Sequence, residues 1–252
     1  MEPILEVRNL TVKFEEGSQK ELTAANGVSF CLYPHETLGI VGESGSGKST
    51  IARAVTRLVK ISEGEILLKG RDITHVKGKA LRDIYRSLQM VFQSPAASFD
   101  PRRTLGDGIG ESLRNCGMGK ARRDEAAEKL LLSCGLPEEF AHRYPHEVSG
   151  GQCQRAAIAR ALAVEPEILI CDEATSALDV TVQAQVMELL TRLRQQHRMS
   201  CLFISHDLAL VQSFCDRVLV MKDGRLVEEG TPDQVILRPK EAYTKRLVDA
   251  VL

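Results

Sequence analysis

Apolar and polar positions along the chain follow two different periods. Near the N-terminus, "ILEVRNLTVKF" and "NGVSFCLY" place apolar residues at alternate positions, which predicts antiparallel strands. The short apolar runs "TLGIVG", "EILICDE", "SCLFISH" and "RVLVMKDG" predict buried strands. Between them, "SGKSTIARAVTRLVK" and "VTVQAQVMELLTRLRQQ" have the apolar spacing of amphipathic helices. This order predicts an α/β fold with a mostly parallel sheet and helices on both faces.

The character of the sequence changes after Ser94. A loop with two prolines, "SPAASFDPRR", is followed by helix-like stretches around 104–116 and 121–134 that lack β-branched runs. We therefore predict a mostly helical insertion over residues 94–160 within a single domain. The remaining parts are a core of residues 1–93 and 161–230, which begins with an antiparallel β subdomain, and a C-terminal tail of residues 231–252.

Composition limits the classes of partner. The 252 residues are 43% hydrophobic and 27% charged, which suffices for one large core or two modest ones. The 33 basic and 34 acidic residues nearly cancel, so no overall field favours nucleic acid or an anionic membrane surface. Any anion site must therefore be local.

Cysteine usage and the absence of a targeting segment indicate a cytosolic protein. No apolar run approaches the roughly 18 residues needed to cross a bilayer, and the sequence does not start like a signal peptide. The seven cysteines are odd in number and form no CxxC pair, and several lie inside apolar runs. This pattern predicts reduced, buried thiols.

A glycine-rich segment, "GESGSGKST", directly follows the first buried strand and precedes a helix. The spacing of Gly42, Gly47, Lys48 and Ser49 is that of a P-loop, in which backbone N–H groups turn towards a phosphate. In such a loop the lysine reaches the β and γ phosphates, and the serine hydroxyl binds Mg²⁺. The alternative is a flexible turn, which the flanking strand and helix disfavour. The predicted phosphate-binding residues are Gly42, Glu43, Ser44, Gly45, Ser46, Gly47, Lys48, Ser49 and Thr50.

Two carboxylates end the strand of "EILICDE". Asp172 and Glu173 therefore lie at the carboxyl edge of the predicted sheet, where open α/β sheets bind ligands. Asp172 fits the acid that holds Mg²⁺ in P-loop nucleotide hydrolases, and Glu173 fits the acceptor of a proton from the attacking water. An Asp-Glu pair after a strand can also be a helix N-cap; the P-loop favours the catalytic interpretation.

A second candidate anion site begins another helix, in "VSGGQCQRAAIARAL". The alternative is an ordinary N-cap. One nucleotide does not need two phosphate-binding helix starts in the same chain. The residues Ser149, Gly150, Gly151 and Gln152 resemble the LSGGQ signature of the ATP-binding-cassette family. Here Val148 replaces the usual leucine, a mild apolar change. In that family the signature of one subunit closes over ATP held by the P-loop of another.

The resemblance implies further site residues. Gln93, which ends the predicted strand "QMVFQ", matches the Q-loop glutamine, which helps hold Mg²⁺ and water. Asp179 ends the D-loop "SALD" that joins the two ATP sites. His206, after "CLFIS", matches the switch histidine at the γ-phosphate, although a lone histidine after a strand is more often structural. Phe14 fits the aromatic residue that stacks on adenine, although a strand phenylalanine is usually part of the core. The implied metal ligands are Ser49, Gln93 and Asp172.

Several stretches narrow the resemblance. "MVFQSP", "SFDPRR", "DEATSALDVTVQAQV", "FISHDLALV" and "EAYTKRLVDAVL" are similar to the ATPases of peptide and nickel importers. The "SFDPRR" version resembles the second of the two ATPases in such systems, which implies a heterodimer. Many dipeptide and oligopeptide relatives continue past the tail with a cysteine-bearing extension, whereas this sequence stops at Leu252 as nickel-type members do. The substrate class therefore stays open between peptides and nickel.

The function implied by the resemblance is ATP hydrolysis coupled to uptake. Two cassettes would clamp two ATP molecules with Mg²⁺, and closure would complete each site from both chains. The implied partners are a second ATPase, two membrane permease subunits and, indirectly, an external solute-binding protein, with no nucleic acid. The chain would then lie at the cytoplasmic face of the inner membrane, held there by the permeases.

Two alternatives remain at this stage. A soluble cassette ATPase acting on nucleic acid or ribosomes would share the nucleotide chemistry, but such proteins usually carry two cassettes or a long coiled-coil insertion. A small-molecule phosphotransferase would explain the P-loop and Asp172. It would leave the signature residues and Asp179 without a role.

Overall fold

A computed structural model describes residues 2–16 and 20–250. The chain divides into two compact units, each with its own buried apolar residues. We call Met1–Tyr85 together with Met199–Leu252 the P-loop unit, and Arg86–Arg198 the helical unit.

The strands and helices alternate along most of the chain. The strands are β1 (Leu5–Glu16), β2 (Lys20–Leu32), β3 (Thr37–Val41), β4 (Glu63–Leu68), β5 (Arg71–Asp72), β6 (Leu88–Val91), β7 (Ile168–Asp172), β8 (Ser200–Ile204), β9 (Arg217–Lys222) and β10 (Arg225–Gly230). The α-helices are α1 (Lys48–Val55), α2 (Gly78–Ser87), α3 (Leu105–Asn115), α4 (Lys120–Ser133), α5 (Gly150–Leu162), α6 (Val180–His197), α7 (Leu208–Phe214), α8 (Pro232–Leu237) and α9 (Ala242–Asp249). Short 3-10 helices span Ala96–Ser98, Glu138–His142 and Pro145–Glu147.

The P-loop unit contains an antiparallel sheet with the strand order β2-β1-β4-β5. Leu5 of β1 lies opposite Leu32 of β2 and Leu68 of β4, and all three side chains are buried. Alternate apolar residues of β1, such as Val7, also point into this core. The predicted antiparallel β subdomain is confirmed.

The same unit contains a second sheet with the order β10-β9-β3-β8. Strand β3 pairs in parallel with β8 and β9, and β10 is antiparallel to β9. Every residue of β3 and β8 is buried, as expected for continuous apolar runs covered on both faces. Helix α1 packs on β8 and α7 on β3. The segment that follows β3 therefore begins at the carboxyl edge of a buried parallel sheet.

Arg217 joins these two sheets. Its Nε donates to Glu36 Oε1 at 2.8 Å, and its other guanidinium nitrogens donate to Glu229 and to the backbone carbonyl of Cys31 on β2. The guanidinium also lies 5.4 Å above the ring of Tyr33. A half-buried arginine satisfied by two carboxylates and a carbonyl stabilises the junction of the sheets.

The helical unit combines the parallel pair β6 and β7 with packed helices. Helix α5 packs against β6 and α6, and α3 and α4 pack against each other and against α5. The helices predicted around 104–116 and 121–134 are α3 and α4. Ile109 of α3 and Leu131 of α4 are fully buried in this unit.

Two local predictions need correction. The helix predicted through "SGKSTIARAVTRLVK" ends at Val55, because the Thr56 hydroxyl donates to the Ala52 carbonyl and Arg57 takes a left-handed conformation (φ +61°). Strand β6 ends at Val91, so Gln93 lies in the following loop rather than at the strand end.

Most of the cysteines are buried in the fold. All seven cysteines are free thiols, and five of them are buried. Cys31 is half-buried and Cys116 is exposed at the end of α3, so the prediction of uniformly buried thiols is wrong for these two. In the part of the chain that the structure describes, no helix is both long and apolar enough to span a membrane.

Candidate functional site

The P-loop takes a backbone conformation that requires glycine. Gly42, Gly45 and Gly47 have φ angles of +150°, +80° and +100°. A Cβ on Gly42 would lie 2.2 Å from the carbonyl oxygen of Met221, and one on Gly47 would lie 2.2 Å from that of Ala24. The loop is therefore pressed against backbone on two sides, and a side chain at either position would displace it.

Lys48 folds back over this loop. Its side chain is 4% exposed, and Nζ donates to the carbonyl oxygens of Gly42 at 2.8 Å and Glu43 at 2.7 Å. Gly47, the N-cap of α1, has no side chain with which to cap the helix. The N–H groups of the first turn, which form the positive end of the helix dipole, can therefore interact with an anion bound at the loop. A buried ammonium beside a helix N-terminus suits a phosphate group.

Residues far along the sequence hold the loop, and sequence reasoning missed them. The N–H of Gly224, in the turn between β9 and β10, donates to the carbonyl of Ser46 at 3.0 Å. The N–H of Glu43 donates to the hydroxyl oxygen of Tyr243 on α9 at 3.1 Å. Tyr243 lies in "EAYTKRL", a stretch that the family resemblance singled out without giving it a role.

His206 follows β8 at the edge of the sheet that carries the P-loop. Ile40 of β3 and Ile204 of β8 are parallel partners, so the segments after both strands leave the same edge of the sheet. His206 is exposed, and Asp207 caps α7 by accepting the N–H groups of Ala209 and Leu210. The structure therefore brings His206 and the P-loop to one edge of the P-loop unit.

Phe14 is not part of the core. It pairs with Leu22 across the β1–β2 ladder, and 40% of the residue is exposed. Its ring is thus accessible for stacking, although the stacking role stays a prediction. A recess of about 570 Å³ in this unit is lined by Lys13, Phe14, Glu15, Lys60, Ile61, Ser62 and Glu63.

The helical unit contains three of the predicted site residues, Gln93, Asp172 and Glu173. Asp172 ends β7 and is 3% exposed, and Glu173 follows with a left-handed backbone (φ +48°). Gln93 Nε2 donates to Glu173 Oε2 at 2.8 Å. This contact arises because Val91 of β6 and Cys171 of β7 are parallel partners, so both segments emerge at one edge.

The signature segment begins α5 with reciprocal caps. Ser149 Oγ accepts from the N–H of Gln152 at 3.4 Å, and Gln152 Oε1 accepts from the N–H of Ser149 at 2.9 Å. Ser149 and Gly150 are exposed. The N-terminus of α5 is therefore preformed and accessible within the helical unit.

The two signature glycines pack against the segment around the D-loop. A Cβ on Gly151 would lie 2.3 Å from Val182 Cγ1, and one on Gly150 would lie 3.8 Å from Leu178 Cδ2. Asp179 caps α6 by accepting from the N–H of Val182 at 3.0 Å. The signature and the D-loop are thus neighbours in the helical unit, a contact that sequence order alone did not reveal.

Comparisons with known proteins assign the chain to a family. The family described as ABC transporter matches residues 25–176, which include the P-loop, the signature and both carboxylates. The chain belongs to the ABC transporter family. The predicted cassette ATPase is confirmed, and the phosphotransferase alternative is excluded.

Curated relatives resemble this cassette over nearly its full length. The oligopeptide transport ATP-binding protein OppF of Salmonella typhimurium is 47% identical over 258 residues, covering 98% of this chain and 77% of that protein. OppF of Streptococcus mutans is 45% identical, with 98% and 81% covered. The glutathione import ATP-binding protein GsiA of Pectobacterium atrosepticum is 46% identical over 99% of this chain, which spans 41% of GsiA. The predicted resemblance to the ATPases of the peptide and nickel importer family is confirmed.

Solved structures agree with the fold of this cassette. The dimeric post-hydrolysis state of the ATP-binding cassette MJ0796, bound to ADP and Pi, has a TM-score of 0.83 and 30% identity, covering 90% of this chain and 98% of that one. The structure of cbiO1 from Clostridium perfringens, part of the ABC transporter complex cbiONQ, has a TM-score of 0.81 and 28% identity, with 100% and 96% covered. The predicted α/β fold class is confirmed.

Proposed function

We propose that this cassette is the ATP-hydrolysing subunit of an importer for oligopeptides or similarly short peptides. The observation that carries the proposal is the identity of 45–47% with OppF proteins over 98% of the chain. The "SFDPRR" sequence supports pairing with a different cassette, so that the motor is a heterodimer. Nickel is the competing cargo, because the motifs of the sequence resemble those of both peptide and nickel importers.

The phosphates of ATP bind at the P-loop in this proposal. The positive φ angles of Gly42, Gly45 and Gly47 and the buried ammonium of Lys48 support the assignment. Glu43, Ser44, Ser46 and Thr50 complete the cradle. Phe14, with its exposed ring, is proposed to stack on adenine.

Mg²⁺ fits the residues assigned to it. Ser49, Gln93 and Asp172 offer hydroxyl, amide and carboxylate oxygens, the donors that Mg²⁺ prefers. Asp172 is 3% exposed and ends β7, at the sheet edge where open α/β folds bind ligands. When bound, the ion would neutralise charge on the β and γ phosphates.

Glu173 is proposed to accept the proton of the attacking water. The water oxygen forms a bond to the γ-phosphorus, the bond from that phosphorus to the bridging oxygen breaks, and ADP and phosphate leave. The Gln93 amide, 2.8 Å from the Glu173 carboxylate, orients the base. Lys48 and His206 stabilise the charge that spreads over the transferring phosphoryl group.

The second cassette completes the site. Ser149, Gly150, Gly151 and Gln152 of one chain would close over the γ-phosphate held by the other, and Asp179 would link the two sites. The exposure of Ser149 and Gly150 supports this role. Two permease subunits would meet the surface around Gln93 and residues 94–103 at the cytoplasmic face of the inner membrane. An external solute-binding protein would deliver the cargo, and no nucleic acid is involved.

Reconstitution tests the cargo. The complex is assembled in liposomes with its second ATPase, its permeases and its binding protein, and ATP hydrolysis is measured with short peptides, glutathione or Ni²⁺. We expect stimulation by peptides of a few residues. Stimulation by Ni²⁺ alone would overturn the peptide assignment. Recovery of the cassette with ribosomes and without permeases would favour the soluble alternative.

The substitution Glu173→Gln tests the base. The amide keeps an oxygen that can accept from Gln93 but cannot take a proton, so ATP affinity should stay within about twofold while turnover falls at least about 100-fold. Glu188→Gln makes the same chemical change at an exposed position of α6 and serves as the matched control. Undiminished hydrolysis in the Glu173 variant would remove this residue from the mechanism.

A further inference from the structure

A tyrosine near the end of the chain holds the first peptide of the P-loop. The hydroxyl oxygen of Tyr243 accepts the N–H of Glu43 at 3.1 Å, across a sequence separation of 200 residues. Tyr243 is 7% exposed, and burial raises its pKa. The side chain therefore stays a neutral hydroxyl, and its oxygen is fixed next to the loop rather than exchanging with solvent.

Two contacts fix the position of Tyr243. The carboxylate of Glu228 on β10 accepts the N–H groups of Lys240 and Glu241 at 2.8 and 3.1 Å, and so holds the N-terminus of α9. The ammonium of Lys222, at the end of β9, lies 5.3 Å from the centre of the Tyr243 ring. Helix α9 is thus attached to the sheet that carries the P-loop.

The peptide groups on either side of Glu43 have few alternative positions. The carbonyl of Glu43 accepts from Lys48 Nζ at 2.7 Å and from the N–H of Ser46 at 3.2 Å, and its N–H is held by Tyr243. A loop with three glycines loses much conformational entropy when it is ordered. A contact that orders the loop before ATP arrives raises the fraction of chains able to bind, and with it the apparent affinity.

We propose that Tyr243 is a positioning residue for the nucleotide site, and that α9 is a brace that keeps the P-loop in its phosphate-binding conformation. The proposal rests on the proposed binding of ATP phosphates at residues 42–50. Tyr243 does not touch the phosphates; it acts through the backbone of Glu43. Nucleotide binding at residues 42–50 thereby depends on helix α9, close to the end of the chain.

The substitution Tyr243→Phe removes the hydroxyl and keeps the ring. With the full chain and a fluorescent ATP analogue plus Mg²⁺, we expect the Kd to rise about fivefold, the effect of one lost hydrogen bond. The KM for ATP should rise by a similar factor. The kcat at saturating ATP should stay within about twofold, because bound nucleotide itself orders the loop.

Tyr33→Phe is the matched control. Tyr33 lies in the same unit, and its ring also has a cation above it, Arg217 at 5.4 Å. This variant should bind ATP like the unmodified chain. Lys48→Ala separates the two proposals: if it binds the analogue normally, the phosphate role of the P-loop fails. If Lys48→Ala weakens binding and Tyr243→Phe does not, only the role of Tyr243 is overturned.

Amide hydrogen exchange gives a readout independent of turnover. In the nucleotide-free chain, the amide of Glu43 should exchange about fivefold faster in Tyr243→Phe than in the unmodified chain, while amides of α5 keep their rates. Unchanged exchange at Glu43 would overturn the proposal. A lower kcat with unchanged KM would also overturn it, since that pattern indicates loss of folded protein rather than loss of loop order.

Discussion

The two glycine-bearing segments of this cassette look alike in sequence and use glycine for different reasons. In the P-loop, Gly42, Gly45 and Gly47 have positive φ angles, so the backbone conformation itself requires them. In the signature, Gly150 and Gly151 belong to the first turn of α5 and have no such requirement. Gly151 is needed because Val182 approaches to 2.3 Å of where a Cβ would lie. Glycine at the start of a helix can therefore be required either by a positive φ angle or by the close approach of a neighbouring side chain.

The two segments also differ in what holds them. Local side chains cap the signature, since Ser149 and Gln152 bond to each other's backbone. The P-loop is held by hydrogen bonds to two distant residues, Gly224 and Tyr243, and the backbone carbonyl of Ala24 lies close to Gly47. Substitutions in the signature should therefore affect mainly the start of α5. The conformation of the P-loop should also respond to substitutions in distant segments that contact it.

The largest expected effect comes from Gly47→Ala. The new Cβ would meet the backbone carbonyl of Ala24, which cannot move aside, and the left-handed conformation adds about 1–2 kcal/mol of strain. ATP affinity should fall at least about 100-fold in a titration with a fluorescent analogue. Gly45 also has a positive φ, but a Cβ there would meet no atom within 4 Å. The ATP affinity of Gly45→Ala should therefore fall only about tenfold. Equal effects would show that the clash is not the reason for glycine at position 47.

An intermediate effect is expected from Gly151→Ala. The added methyl group meets a side chain, Val182, so overpacking costs about 1–3 kcal/mol and shifts the start of α5. Hydrolysis by the assembled dimer should fall about tenfold, while the isolated chain binds ATP normally. Combining it with Val182→Ala frees the space and should restore most of the activity. No recovery in the double variant would contradict the packing explanation.

A smaller effect is expected from Ser149→Ala, through the lost cap. Helix α5 should lose about 1 kcal/mol, which lowers the Tm by about 2–4 °C. Ser149→Asp keeps a capping oxygen but adds a negative charge where a phosphate is proposed to bind. It should therefore retain the Tm and lose hydrolysis. Normal turnover in this variant would argue against a phosphate at the α5 N-terminus.

The smallest effect concerns the buried thiols of the helical unit. Burial raises the pKa of Cys153, just beyond the signature, and of Cys134 to about 11, from an ordinary value of 9.0. The folded chain therefore holds these protons more tightly than the unfolded chain, so stability declines as the pH rises from about 9 towards 11. At pH 8, iodoacetamide should modify exposed Cys116 and leave Cys153 and Cys134 intact in a mass spectrum. Modification of Cys153 in the folded chain would indicate that the start of α5 opens.

Local patterns predicted much of this site. The buried strands β3, β7 and β8 follow from apolar runs in the sequence. The contact of Gln93 with Glu173 was not predicted; it results from the parallel pairing of β6 with β7. The contact of Gly151 with Val182 and the bond from Glu43 to Tyr243 could not be predicted in this way, because each joins elements whose packing no local pattern specifies.

Arg217 gives the P-loop unit a junction that resists changes in acidity. Burial alone would lower the pKa of its guanidinium, but hydrogen bonds to Glu36 and Glu229 raise it. The cation therefore keeps its proton over the whole range in which a cell regulates its internal pH. A temporary alkaline shift would leave this cation charged and the two sheets docked, and the backbone that surrounds the P-loop would outlast such a disturbance.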